Sequence, residues 1–442
     1  MLAEETKKKH TSEDLFEWRK RVVTNGVGVF NPSTAVTASG AIITNADGKE
    51  LIDFGGGIGV LNSGHCPEPV VKAIQEQAEK LIHTCFNVAT YDVYMELADE
   101  LISILPHGDH TKVMLTTSGA ESVENAIKIA RQATGRPGII CFSDAFHGRT
   151  MMAMSLTSKP SYKTGCGPFA PEIYRFRFPN HFRYGRGLSY DDFVAREIKL
   201  LRESIVATMD PSDCAAIIVE PVLGEGGFVP MPPAYMNELR AICDEFGILL
   251  ILDEVQSGFG RTGEWAAFHH YDVVPDLTTW AKSMGGGMPI GCVIGKAEIM
   301  DAAAPGTIGG TYPGNPVCAA AAVANIRHMK DIDINALGRK VGDISRSRFE
   351  ALREKCPEIG EVRGLGAMIA FPLVKNNDPF QPDSKLCSDL VNACAKRGLI
   401  LLSAGTHKNV IRILSPLVIT DDQLDQGIAI IEEELLRLTG RA

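Results

Sequence analysis

The stretch Ile251-Leu252-Asp253-Glu254-Val255-Gln256-Ser257-Gly258-Phe259-Gly260-Arg261-Thr262-Gly263 decides how this chain folds. The apolar run 247–252 reads as a buried strand that delivers a carboxylate, Asp253, to its end. A second short apolar run, 277–281, delivers Lys282 just ahead of Gly285-Gly286-Gly287. In open α/β sheets ligands bind beyond the carboxyl ends of the strands. Both ionisable groups are therefore expected in one crevice.

A carboxylate and an amine so placed suit pyridoxal phosphate. The amine can bond covalently to the cofactor, and the carboxylate can keep its pyridine nitrogen protonated. Each residue taken singly has an ordinary alternative. A strand-end aspartate is commonly a cap or turn residue, and a single lysine is commonly a solvated surface charge. The flanking sequence has to choose between these.

Apolar runs of strand length recur at 112–116, 138–142, 215–220, 247–253, 277–281 and 290–294. Amphipathic helical patterns at 122–134, 190–207 and 233–246 lie between them. This alternation predicts an α/β fold whose mostly parallel sheet is covered on both faces. Residues 66–325 form the expected large domain. Residues 27–60 read as a small β-meander with a turn at Asn45-Ala46-Asp47-Gly48. Beyond 335 helices mix with short strands at 362–370, 398–402 and 410–413. The segments 1–65 and 326–442 are expected to join as one smaller α+β domain.

At 442 residues the chain exceeds what one core usually organises. A content of 45% hydrophobic and 22% charged residues is that of a globular enzyme and not of a disordered chain. The formal charge of -10 argues against nucleic acid as the main partner. No run reaches the ~20 apolar residues of a membrane span. Residues 1–20 are charged and lack an apolar signal region. Eleven cysteines without a Cys-x-x-Cys pair suggest reduced thiols and a cytoplasmic protein. His269-His270 and His107/His110 lack ligand partners at zinc spacing, so no metal is expected. Neither a phosphate-binding P-loop motif nor a hydrolase nucleophile elbow is present.

Two further segments bear on the crevice. Thr116-Thr117-Ser118-Gly119-Ala120-Glu121-Ser122 joins a strand to an amphipathic helix. Unpaired N–H groups and the positive dipole end make such a helix start a phosphate site. Ser118 would add a hydroxyl, and Gly119 and Ala120 would let the backbone approach closely. An ordinary N-cap is the competing explanation. Phe146-His147-Gly148-Arg149-Thr150 follows the strand at 138–142. Phe146 could stack on a pyridine ring whose other face Val255 covers, and Arg149 could grip a carboxylate bidentately. Core packing for Phe146 and a surface charge for Arg149 are the alternatives.

Taken together, these motifs resemble the class III pyridoxal-phosphate aminotransferases of fold type I, from about residue 28 to 417. The resemblance also takes in Gly57-Ile58-Gly59-Val60-Leu61-Asn62-Ser63-Gly64-His65 and Glu220-Pro221-Val222-Leu223-Gly224-Glu225-Gly226-Gly227. Gly310-Thr311-Tyr312-Pro313-Gly314-Asn315-Pro316 completes it. It implies that Lys282 bonds the cofactor and moves the substrate proton, that Asp253 pairs with the ring nitrogen, and that Gln256 bonds the phenolic oxygen. It implies further that Ser118, Gly119 and Ala120 hold the phosphate, joined by Thr311 from a neighbouring subunit. An obligate homodimer, or a tetramer, follows from that last role.

The same resemblance bears on substrate. Arg149 matches the arginine that 4-aminobutyrate aminotransferases use for the carboxylate remote from the reacting amine. Arg412 matches the arginine for the α-carboxylate of glutamate and 2-oxoglutarate. Glu225 looks like its switch partner, covering Arg412 when an ω-amino acid is bound. Glu220 supports the site by hydrogen bonding. Ile58 stands where ornithine aminotransferases carry a tyrosine, and an apolar side chain leaves a second amine unpaired. Two departures stand out: Tyr312-Pro313-Gly314 in the phosphate loop, and Ser415 after the Arg412 motif.

The expectation is a ping-pong enzyme converting 4-aminobutyrate and 2-oxoglutarate to succinate semialdehyde and glutamate. Its rivals are 5-aminovalerate as donor, ornithine or acetylornithine aminotransferase, and a racemase or epimerase on the same fold.

Overall fold

The computed structural model describes residues 10–441, so the first nine residues and Ala442 of the expected terminal segments lie outside it. Seven strands make the central sheet: β1 (Thr111–Thr116), β2 (Gly138–Phe142), β3 (Ile173–Phe176), β4 (Cys214–Val219), β5 (Leu249–Asp253), β6 (Leu277–Trp280) and β7 (Gly291–Lys296). Their spatial order is β1-β7-β6-β5-β4-β2-β3. β7 runs antiparallel to both neighbours, and the other pairings are parallel. The sheet is thus mostly parallel, as its β-α alternation predicts. β3 was absent from the expected strands because Ile173–Phe176 is only half-buried at the sheet edge and carries a weak apolar signal.

Side chains alternate across the sheet with the two-residue period of a strand. Ile139 and Cys141 pack with Val123, Ile127 and Ala130 of the helix Gly119–Thr134. Ile140 and Phe142 face the opposite core, with Phe193 and Leu201 of Tyr190–Thr208 and Leu239 and Ile242 of Pro233–Phe246. Burial on both faces explains why these strands are apolar throughout.

Outside this sheet the two ends of the chain meet. Thr37–Ser39, Ile42–Thr44 and Glu50–Asp53 form an antiparallel meander, and Leu399–Ile400 adds to it in parallel. A second sheet comprises Arg363–Leu365, Met368–Pro372, Val410–Ile413 and Leu402–Ala404. Two expected strands therefore divide. The segment 362–370 is a hairpin, folded at Gly366 with φ of 49°. A Cβ there would lie 2.2 Å from the Thr262 carbonyl carbon, so only glycine fits. The segment 398–402 splits between the two sheets. No helix among the described residues is long and apolar enough to cross a membrane.

Candidate active site

Because β1, β2, β4, β5 and β6 point the same way, the residues that follow them gather at one edge of the sheet. Ser118 follows β1, Phe146 and His147 follow β2, Glu220 follows β4, Asp253 ends β5 and Lys282 follows β6. Antiparallel β7 begins at that edge, which brings Met288, Pro289 and Ile290 to the same place. A cavity of about 490 Å³ opens there, within the size range of small-molecule sites.

Asp253 is only 4% exposed, and both of its oxygens have partners. Its Oδ2 lies 2.7 Å from His147 Nδ1. Its Oδ1 accepts from the Thr279 hydroxyl at 3.0 Å and from the Val255 N–H at 3.2 Å. The parallel register sets Asp253 directly beside Thr279, which accounts for the first of these. Lys282 opens a short 3-10 turn with φ of 48°. Such a conformation is uncommon for a residue with a side chain and is typical of functional sites. Burial holds the Lys282 amine below its ordinary value, against the opposing pull of the Glu225 and Asp253 carboxylates.

Ser118 caps the helix Gly119–Thr134, its hydroxyl accepting from the Glu121 N–H at 3.3 Å. The N-cap alternative is therefore realised, and it coexists with a place on the cavity wall beside Gly119 and Ala120. These lie in the first turn, where a helix has no internal acceptors for its N–H groups. A Cβ on Gly119 would come within 2.9 Å of Val255 Cγ1, so glycine keeps this wall open. Phe146, Val255 and Gln256 also line the cavity. Gln256 Oε1 is buried without a partner among the described residues. A partly apolar cavity with a helix N-terminus, a braced carboxylate and a desolvated amine fits pyridoxal phosphate.

The charged wall is equally organised. Glu220 accepts from the Phe146 N–H at 3.0 Å and the Gly224 N–H at 2.9 Å. Burial pushes its carboxyl up to about 7; the His147 and Asp253 charges act in opposite directions on it. Glu225 Oε1 accepts from Arg412 Nη1 at 2.5 Å. Burial raises the Glu225 carboxyl, but the Arg412 charge and hydrogen bond outweigh it and leave it below its ordinary value. Arg149 is exposed at the rim, its Cζ 4.4 Å from the centroid of the Tyr162 ring.

Three expected site residues do not line this cavity. Arg412 lies on Val410–Ile413, buried and in contact with the wall residue Glu225. Ile58 sits in the turn Gly56–Gly59 with φ of 67°, and Val60 is the wall residue of that segment. Thr311 is exposed on its own chain.

Other residues were missed from sequence. His147 stood inside the Phe-His-Gly-Arg motif without a role; its neighbour in that motif was its only signal. Tyr162, whose ring lies under Arg149, had none. Among the described residues no group of three His, Cys, Asp or Glu side chains is arranged to hold a metal ion, and His107 instead bonds the Leu105 carbonyl and the Thr278 hydroxyl.

The family model for aminotransferase class-III matches residues 24–435. The chain belongs to the class-III aminotransferases. Among its relatives, 5-aminovalerate aminotransferase DavT of Pseudomonas aeruginosa is 46% identical over 424 residues, spanning 96% of this chain and 98% of the relative. The 4-aminobutyrate aminotransferase GabT of Escherichia coli is 44% identical over 425 residues, with the same coverage. A solved structure, taurine:2-oxoglutarate aminotransferase from Bifidobacterium kashiwanohense in complex with PLP and glutamate, superposes with a TM-score of 0.90. It is 29% identical, over 98% of this chain and 99% of that one.

Proposed function

We propose that this class-III aminotransferase moves the amino group of 4-aminobutyrate, or a similar short ω-amino acid, to 2-oxoglutarate, with pyridoxal phosphate as cofactor. The products are succinate semialdehyde and glutamate. The observation that carries the reading is the Glu225–Arg412 pair beside a cavity rimmed by Arg149. A racemase would need neither a second carboxylate clamp nor a covered arginine.

Bound pyridoxal phosphate would supply an electrophilic aldehyde and a ring that accepts electrons. Lys282 would bond it, Asp253 its ring nitrogen, Gln256 its phenolic oxygen, and Phe146 and Val255 its two ring faces. Ser118, Gly119 and Ala120 would hold the phosphate, with Thr311 of a neighbouring subunit, so the working enzyme is a homodimer or larger. The exposure of Thr311 on its own chain favours that assignment.

Lys282 Nζ takes the proton from the amine-bearing carbon of the substrate, a role that desolvation of the amine assists. His147 and Thr279 fix Asp253, and Glu220 anchors Phe146 and Gly224 through their backbones. Arg149 receives the substrate carboxylate remote from the amine. Arg412 receives the α-carboxylate of glutamate or 2-oxoglutarate once Glu225 moves aside. With a monocarboxylate donor Glu225 stays in place, because an unpaired buried charge costs about 3–5 kcal/mol. The eleven free cysteines favour a reducing, cytoplasmic setting.

A second donor, 5-aminovalerate, is favoured by the name of the DavT relative. One methylene changes discrimination by only ~1–3 kcal/mol. The deciding experiment is a donor panel in the first half-reaction, followed by conversion of the cofactor to its pyridoxamine form. 4-Aminobutyrate is expected to lead, with 5-aminovalerate close behind. Faster conversion by L-ornithine would overturn the assignment.

A further inference from the structure

Tyr162 ends the short turn Pro160–Tyr162 and touches three groups of the site at once. Its hydroxyl donates to Glu225 Oε2 at 3.3 Å. Its ring lies under Arg149, 4.4 Å from centroid to Cζ, and meets the edge of Phe146 at 5.2 Å. The half-buried Tyr162 phenol sits above its ordinary value, raised by burial and by the Glu225 charge, so it remains a donor at neutral pH. Glu225 consequently has two anchors: Oε1 on Arg412 and Oε2 on Tyr162.

We propose that Tyr162 is a positioning residue that sets how readily the site exchanges monocarboxylate for dicarboxylate ligands. Its hydroxyl stabilises the arrangement in which Glu225 covers Arg412, and its ring seats Arg149. The inference rests on the proposed reading of Glu225 and Arg412 as a switch. A dicarboxylate needs Arg412 uncovered, and a ligand shifts such an equilibrium only by its differential affinity for the two arrangements. Removing the hydroxyl lowers the opposition to uncovering. The ring contact is separate, a cation over an aromatic face, and survives replacement by phenylalanine.

The test compares wild type, Tyr162→Phe and Tyr162→Leu as holoenzymes by calorimetric titration with glutarate and with pentanoate. Neither ligand carries an amine, so neither reacts. Tyr162→Phe is expected to tighten glutarate about three- to tenfold, the equivalent of one hydrogen bond, and to leave pentanoate within about twofold. Stopped-flow half-reactions of the same variant should slow for 4-aminobutyrate relative to glutamate. Tyr162→Leu should additionally weaken both ligands, because Arg149 loses its seat. Equal shifts for the two ligands in Tyr162→Phe, no shift, or weaker glutarate binding overturn the role of Tyr162. A parallel Glu225→Ala titration separates the two levels. If Glu225→Ala also leaves the glutarate-to-pentanoate ratio unchanged, the switch itself is wrong; if only Tyr162→Phe is silent, Tyr162 alone is.

Discussion

Glu225 and Arg412 form a nearly buried ion pair, Oε1 to Nη1 at 2.5 Å, with side chains 12% and 5% exposed. Arg412 Nε has no partner among the described residues, so Glu225 is the acceptor on which the guanidinium depends. Glu225→Ala leaves Arg412 buried and uncompensated whenever a monocarboxylate donor is bound. We expect the 4-aminobutyrate half-reaction to fall about tenfold or more relative to the glutamate half-reaction. Stopped-flow measurement of each half-reaction checks this, and equal losses in both would refute the switch.

Lys282→Ala removes the amine that follows β6 at the strand-end crevice. Turnover is expected to fall at least about 10³-fold, on the scale of a lost general acid–base group. Far-ultraviolet circular dichroism should remain that of the parent, since Lys282 contributes a cavity wall and not core packing. Appreciable turnover would remove the central assignment.

His147→Ala takes away the 2.7 Å partner of Asp253 Oδ2. A hydrogen bond to a charged group contributes ~1.5–3 kcal/mol, so retention of pyridoxal phosphate should weaken about 10- to 100-fold. Equilibrium dialysis against the free cofactor measures it. Unchanged retention would mean that Thr279 and Val255 suffice to hold the carboxylate.

Glu220 makes stability depend on pH. Burial raises its carboxyl from 4.5 to about 7 in the fold. Between those values the native protein holds a proton that the unfolded chain has lost, so stability falls as pH rises through the window. Glu254, likewise buried and raised to about 7, acts in the same direction. His107, lowered to about 4 by burial, acts the other way, so the readout is a difference: in cofactor-free protein the slope of the unfolding midpoint from pH 4.5 to 7 should be less negative in Glu220→Gln than in the parent. An identical slope in the variant would show that Glu220 does not carry its share.

Much of the fold lies in local pattern. Apolar runs ending in Asp253 or followed by Lys282, and a Ser-Gly-Ala helix start at 118–120, are set by neighbouring residues, because strand and helix periods act over a few positions. From these the sequence by itself determined a mostly parallel α/β sheet, which residues stand at its strand ends, and the family. The divided strand at 362–370 was not legible, since Gly366 turns there to pass against Thr262, far away in the chain.

The pairings that give the site its chemistry were decided only in three dimensions. His147 meets Asp253 across 106 positions and Arg412 meets Glu225 across 187. Tyr162 joins Arg149 and Glu225 from a turn whose sequence carries no periodic signal. No local pattern specifies which distant side chains will share a desolvated volume. Packing of the strands into one order, with the carboxyl ends of the parallel ones at a common edge, makes that choice.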